Sequence, residues 1–235
     1  SIGLGQFAHA MRRGVRMAYI VENNGVYGLT KGQFSATADQ GSKSKKGVVN
    51  NDAAVDLVAM ALQLGATYVA RSFSGDKEQL VPLIKGAMSH GGAAFIDVIS
   101  PCVTFNNHGG STKSYDYVRQ HNEAVSRIDF ISPGSEITTS YAPGERVEVT
   151  QHDGSVLRLR KLHASYDPTD RHAALDHMHR HAAQGEVVTG LLYIDPLATD
   201  LHCAMNTAAA PLASLGPETL CPGAKTLEKI NAALR

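Results

Sequence analysis

The sequence predicts an α/β fold, a parallel sheet covered by helices, with a mixed α/β C-terminal extension. Apolar runs of strand composition at Met17 to Glu22, Thr67 to Arg71 and Ala94 to Ile99 alternate with segments of helical periodicity. Strands joined through helices run parallel, and a parallel sheet is covered on both faces. After about Asp129 the alternation stops, and Pro133-Gly134 and Pro143-Gly144 punctuate shorter segments. The expected division is therefore 1–130 for the sheet domain and 131–235 for the extension.

Taken in order, Ile2 to Met11 reads as a helix running into Arg12-Arg13-Gly14, and Tyr19 to Val21 have strand composition. Asp52 is the expected cap of a helix with apolar residues Val55, Val58 and Leu62, flanked by Leu57, Ala61 and Leu64 and ending at Gly65. Thr67 to Arg71 is the next strand. Leu80, Val81, Leu83, Ile84, Ala87 and Met88 form the stripe of another helix, closed by Gly91-Gly92 before the buried strand Ala94 to Ile99. In the extension, Val147 and Val149 face Val156, Leu157 and Leu159 across Asp153-Gly154, a hairpin signature. Arg158, Arg160 and Lys161 interleave with these residues and read more readily as a solvated strand face than as an anion site. Ala173 to Gln184 is expected to be helical, and Leu227 to Leu234 to form a final amphipathic helix.

Composition narrows the function classes. The chain has 235 residues, 43% hydrophobic content and zero formal charge, which describes a globular domain with a substantial core and no bias toward nucleic acid. Lys43, Lys45 and Lys46 form the one basic run, most simply a solvated loop. No apolar run approaches ~18 residues, so no membrane span is expected, and no secretory signal is visible. Three cysteines without tight spacing argue against a disulfide framework and fit a reducing cytoplasm.

The chemistry concentrates in Asn23-Asn24-Gly25-Val26-Tyr27-Gly28-Leu29-Thr30-Lys31-Gly32-Gln33, directly after the first strand. Open α/β sheets bind ligands at the carboxyl ends of their strands. Asn24 can offer a neutral oxygen to a hard cation such as Mg2+, and Gly28 and Gly32 let the backbone approach a phosphate. A diphosphate held through magnesium fits such a loop.

The run Asn23 to Thr37 resembles the thiamine diphosphate loop in the beta subunits of 2-oxoacid:ferredoxin oxidoreductases, above all the 2-oxoglutarate type. The resemblance extends through Arg12-Arg13, Cys102, Val147 to Leu162, and Asp167-Pro168-Thr169-Asp170-Arg171. It implies the thiamine diphosphate-binding fold, with Asn24 and the Val26 carbonyl as magnesium ligands and Tyr27, Gly28, Leu29 and Thr30 as cofactor contacts. Leu29 and Lys31 would line the substrate pocket, where the Lys31 ammonium either pairs with the distal carboxylate of 2-oxoglutarate or faces solvent. Cys102 would complete a 4Fe-4S site; read without the resemblance, it is a buried thiol. Gln6 departs from the family, where this position is often His.

The implied activity is oxidative decarboxylation of 2-oxoglutarate to succinyl-CoA, with electrons passed to ferredoxin. The cofactor performs the difficult bond breaking, so a binding loop without a catalytic triad is expected and no catalytic residue is assigned. The activating glutamate would come from an alpha subunit, which with ferredoxin, the 2-oxoacid and coenzyme A completes the expected partners. The family's magnesium-binding Gly-Asp-Gly and further cluster cysteines would lie before Ser1, so the chain is expected to be N-terminally truncated. Alternatives are an enzyme acting on pyruvate or branched-chain 2-oxoacids, another thiamine-dependent decarboxylase, or a noncatalytic assembly subunit.

His172, His177, His179 and His181 crowd one segment, and His177 and His181 share a helical face, but without an HExxH carboxylate a solvated polar face is the better reading. Cys203 and Cys221 match no ligand pattern and read as structural thiols.

Overall fold

The computed structural model describes residues 2–28, 30, 32–41, 48–100, 137–150, 156–221 and 223–234. The chain divides into two compact units, Ser1–Leu201 and His202–Arg235. In the first unit, a six-stranded sheet has the order β1-β5-β4-β8-β7-β6. Its strands are β1 (Met17–Asn23), β4 (Tyr68–Phe73), β5 (Ala93–Ile99), β6 (Arg146–Thr150), β7 (Val156–Lys161) and β8 (Val187–Ile194). β1, β5 and β4 run parallel, as the helix-separated strands predict. β8 joins β4 antiparallel, β7 runs parallel to β8, and β6 pairs antiparallel with β7 as the expected hairpin. The mostly parallel, helix-flanked sheet is thus of the predicted class.

Burial follows position in the sheet. Every residue of the central strand β4 is buried, whereas β1, at the edge, alternates half-buried and exposed residues and leaves Ile20 exposed. One face carries α1 (Leu4–Arg13), α2 (Leu57–Gln63) and α4 (Arg171–Ala182) over Val69, Phe95, Val188 and Leu192. The other carries α3 (Lys77–Ser89) over Tyr68, Ala70, Ala94 and Ile96. Val58 and Leu62 on α2 are fully buried, and each such side chain contributes about 1.5–3 kcal/mol of hydrophobic stabilisation. Phe7 on α1 stacks edge-on against Tyr19 and Phe95, with ring centroids 5.3 and 5.2 Å away.

Three sequence expectations shift. The cap of α2 is Asp56, which accepts hydrogen bonds from the Val58 and Ala59 amides at 2.9 and 3.0 Å. Asp52 lies outside the helix because Asn50 holds it in a turn, accepting from the Asp52 amide at 3.3 Å and donating to the Asp52 carbonyl. Helix α3 ends at Ser89, two residues before Gly91. Strand β8 has no counterpart in the sequence reading; its apolar residues do not alternate, and its state is decided by pairing with β4 and β7.

The second unit contains the helices α6 (Pro217–Leu220) and α7 (Ala224–Ala233), after a short α5 (Leu201–Ala204) that crosses the boundary between units. Leu227, Ile230 and Leu234 make the expected apolar stripe, and all three are exposed. Cys203 and Cys221 are both exposed. No helix among the described residues is long and apolar enough to cross a membrane.

Candidate functional site

Strand β1 ends at Asn23, and the chain turns there into a small antiparallel hairpin of β2 (Val26–Tyr27) and β3 (Gln33–Phe34). Gly25 makes the turn possible. Its φ of +70° lies in the left-handed region, and a Cβ there would sit 3.6 Å from the Ala38 Cα. The Ser35 amide donates to the Gly25 carbonyl at 3.0 Å and closes the base of the hairpin.

Asn24 Oδ1 accepts a hydrogen bond from the Val26 amide at 3.1 Å, an Asx turn that fixes the side-chain oxygen beside the next backbone segment. The Val26 amide therefore points to Asn24 rather than across the ladder to β3. In an extended residue the N–H and C=O lie on the same side, so the Val26 carbonyl shares the side on which Asn24 sits. An amide oxygen has two lone pairs, and one remains on Asn24 Oδ1 after this bond.

Side chains behind the hairpin hold its root. Thr37 Oγ1 donates to Asn23 Oδ1 at 2.7 Å and lies 2.8 Å from Ser35 Oγ, which also accepts the Thr37 amide at 3.2 Å. The Ser100 amide, just past β5, donates to the Asn23 carbonyl at 2.9 Å. At the tip, the Tyr27 carbonyl accepts from the Gly32 amide at 3.1 Å and from Thr30 Oγ1 at 3.4 Å. Gly32, with φ +96°, supplies the second left-handed position.

Of the expected site residues, the structure brings Asn24, Val26, Tyr27, Gly28 and Thr30 into this one hairpin at the carboxyl end of β1. Leu29, Lys31 and Cys102 lie outside the described residues. So do Lys43, Lys45, Lys46 and the Asp153-Gly154 turn. Asn23, Ser35 and Thr37, which local pattern alone does not mark as site residues, pin the hairpin from behind with their small polar side chains. Ser-Ala-Thr following the Gly-rich run was the available signal.

The basic residues of β7 are engaged with carboxylates. Arg160 grips the buried Glu186 with Nε and Nη2 at 2.8 and 3.2 Å, and His181 Nδ1 lies 2.7 Å from the same carboxylate. Lys161 pairs with Asp76, and only Arg158, paired with Glu148, is on an exposed face. An open groove of about 770 Å³ lies between the start of α3 and residues 140–145, sharing no residue with the hairpin. Its polar side chains are engaged, Ser140 Oγ donating to Glu78 Oε2 and Tyr141 Oη lying 2.7 Å from Thr189 Oγ1 outside the groove.

Residues 1–98 match the model for the thiamine pyrophosphate enzyme, C-terminal TPP binding domain. A 2-oxoacid:ferredoxin oxidoreductase subunit beta from Saccharolobus solfataricus is 47% identical over 109 residues, covering 45% of this chain and 35% of that protein. The structure of a 2-oxoglutarate:ferredoxin oxidoreductase from Magnetococcus marinus, with 2-oxoglutarate, coenzyme A and succinyl-CoA bound, superposes with a TM-score of 0.61 at 25% identity, covering 94% of this chain and 62% of that one.

The chain is similar to beta subunits of 2-oxoacid:ferredoxin oxidoreductases. A second relative, the 2-oxoglutarate oxidoreductase subunit KorB of Mycobacterium tuberculosis, is 33% identical over 138 residues, covering 58% of this chain and 35% of that protein. The chain spans about a third of the length of the curated relatives it matches. The region matched by the thiamine pyrophosphate enzyme domain contains α1, β1, the hairpin, α2, β4, α3 and all of β5 but its last residue.

Proposed function

We propose that this chain is the thiamine diphosphate-binding part of a beta subunit that, with an alpha subunit, oxidatively decarboxylates 2-oxoglutarate to succinyl-CoA and passes the electrons to ferredoxin. The observation that carries this reading is the hairpin at the end of β1, where Asn24 Oδ1 is fixed beside the Val26 backbone. An amide oxygen and a peptide carbonyl are the neutral hard donors that Mg2+ accepts alongside phosphate oxygens. The residues fit the group.

In this reading Asn24 and the Val26 carbonyl hold the cation, and the backbone from Tyr27 through Thr30 cradles the cofactor. Thiamine diphosphate, when bound, supplies the nucleophilic carbon that takes on the 2-oxo group and stabilises the charge left by decarboxylation. The chain's own part is to fix position: Asn23, Ser35 and Thr37 lock the loop's root so that its donors are in place before the cofactor arrives. Lys31 would pair with the distal carboxylate of 2-oxoglutarate, Leu29 would line the substrate pocket, and Cys102 would be a ligand of a 4Fe-4S cluster, which when bound would supply one-electron chemistry. Support for the 2-oxoglutarate type comes from the KorB relatives and the 2-oxoglutarate enzyme neighbour.

The test is reconstitution of the complete subunit with its partner, followed by reduction of ferredoxin with a panel of 2-oxoacids. Coenzyme A-dependent reduction with 2-oxoglutarate in preference to pyruvate is expected. Asn24→Ala should weaken Mg2+-dependent cofactor binding, Lys31→Ala should impair 2-oxoglutarate far more than pyruvate, and Cys102→Ser should lower iron content and cluster absorption. Equal turnover of all 2-oxoacids by the wild type would sink the substrate assignment.

A further inference from the structure

Two charged side chains, Arg71 and Asp97, are buried in the sheet where charge is costly, and a third, Asp56, lies partly exposed beside them. Arg71 sits in β4, a strand buried along its whole length. Its Nε donates to Asp97 Oδ2 on β5 at 2.9 Å, and its Nη2 donates to Asp56 Oδ1 at 2.7 Å. Burial opposes the guanidinium charge, but the two carboxylates more than offset it and raise its pKa above the ordinary value. Asp97 is 1% exposed, and its Oδ1 has no hydrogen-bond partner among the described residues, so Arg71 holds that carboxylate by itself.

A continuous chain of contacts runs from this cluster to the loop. Asp56 Oδ1, which Arg71 grips, also caps α2. The preceding residue, Val55, donates its amide to the Ala36 carbonyl at 2.8 Å. Thr37, next to Ala36, donates to Asn23 Oδ1 at 2.7 Å, and Asn23 precedes Asn24. Each step is one hydrogen bond or one peptide link. The chain of contacts connects β4 and β5 to the segment that carries the oxygen donors at the end of β1.

We infer that Arg71 is a positioning residue for the cation and diphosphate site at Asn24 and Val26, acting through Asp56 and the segment 35–38. Sheet stability alone does not call for such a cluster, since well-packed apolar side chains commonly replace a buried ion pair without loss. A planar fork, however, sets the direction of two carboxylates at once, which neither an apolar side chain nor a lysine achieves. The inference rests on the reading of Asn24 and Val26 as the cation site.

The complete subunit carrying Arg71→Lys or Asp56→Asn tests it, with affinities for Mg2+ and thiamine diphosphate read by calorimetry and for Mn2+ by electron paramagnetic resonance. Groups that touch metal ligands typically contribute about 10–100-fold to affinity; Arg71 and Asp56 act through further links, so a smaller loss, greater than about twofold, is expected in both variants. The amides of Ala36 to Ala38 should also exchange faster with solvent. Asn caps a helix as well as Asp does, so Asp56→Asn keeps α2 and the Arg71–Asp97 pair and decides the matter if Arg71→Lys does not fold. Affinities within about twofold of wild type, with only the melting temperature lowered, would overturn the inference and leave a structural staple. Asn24→Ala is measured in parallel: unchanged Mg2+ affinity there would mean that the cation-site reading itself is wrong, whatever Arg71 does.

Discussion

Lys161 Nζ lies 2.7 Å from Asp76 Oδ2, joining the end of β7 to the residue that caps α3. Asp76 is 1% exposed, and the ammonium reaches it as a direct charge contact off the line of a well-aligned hydrogen bond. The lysine also lies over the Tyr141 ring, 4.4 Å from its centroid. Removing one member of a buried pair strands the other's charge, so Lys161→Met is expected to destabilise the fold by about 3–5 kcal/mol in chemical denaturation. The double variant Lys161→Met with Asp76→Asn should recover most of that loss, because Asn still caps α3.

Thr37→Val removes the hydroxyl that holds Asn23 Oδ1. An unpaired, partly buried amide oxygen costs about 1–3 kcal/mol. The expected outcome is a modest fall in melting temperature together with weaker Mg2+-dependent thiamine diphosphate binding, measured on the same preparation.

Acid should loosen the first unit through Glu186. Hydrogen bonds from Arg160, then from His181, and the charges of both hold its pKa at about 2, below the ordinary 4.5. A carboxylate depressed on folding contributes stability that is fully present above the ordinary value and is lost as the pH falls toward about 2. Denaturant midpoints followed from pH 5 to pH 2 should fall more steeply for the wild type than for Glu186→Gln. Parallel slopes would remove Glu186 as the cause.

Asp170 caps α4 by accepting from the His172 and Ala173 amides at 2.9 and 3.0 Å. Next to it, Arg171 donates to the Leu62 carbonyl and lies 4.4 Å over the Tyr193 ring, docking α4 onto α2 and β8. Asp170→Ala should cost about 1 kcal/mol by thermal or chemical unfolding, with cofactor affinity unchanged.

Much of this architecture is legible in local pattern. The parallel trio β1, β5 and β4 appears in the sequence as mainly apolar runs separated by helical stripes, because strands of a helix-covered parallel sheet are largely apolar. The hairpin β6–β7 shows itself through valines and leucines on either side of Asp153-Gly154. The loop Asn23 to Gln33 is visible because left-handed glycines and an amide side chain have few other uses at a strand end. Asp52 and Asp56 are equally good caps in isolation, and only the hold of Asn50 on one and of Arg71 on the other separates them.

The sequence by itself determined the covered parallel sheet and the loop at the end of β1, since both follow from short-range rules of burial and backbone conformation. Tertiary structure alone decided the insertion of β8 between β4 and β7 and the place of Arg71 between Asp56 and Asp97. Those depend on partners 15 and 26 residues away for Arg71 and on ladder register for β8. A charged residue in a buried strand states that a partner must exist; only the fold says which carboxylates it meets, and therefore what it holds in place.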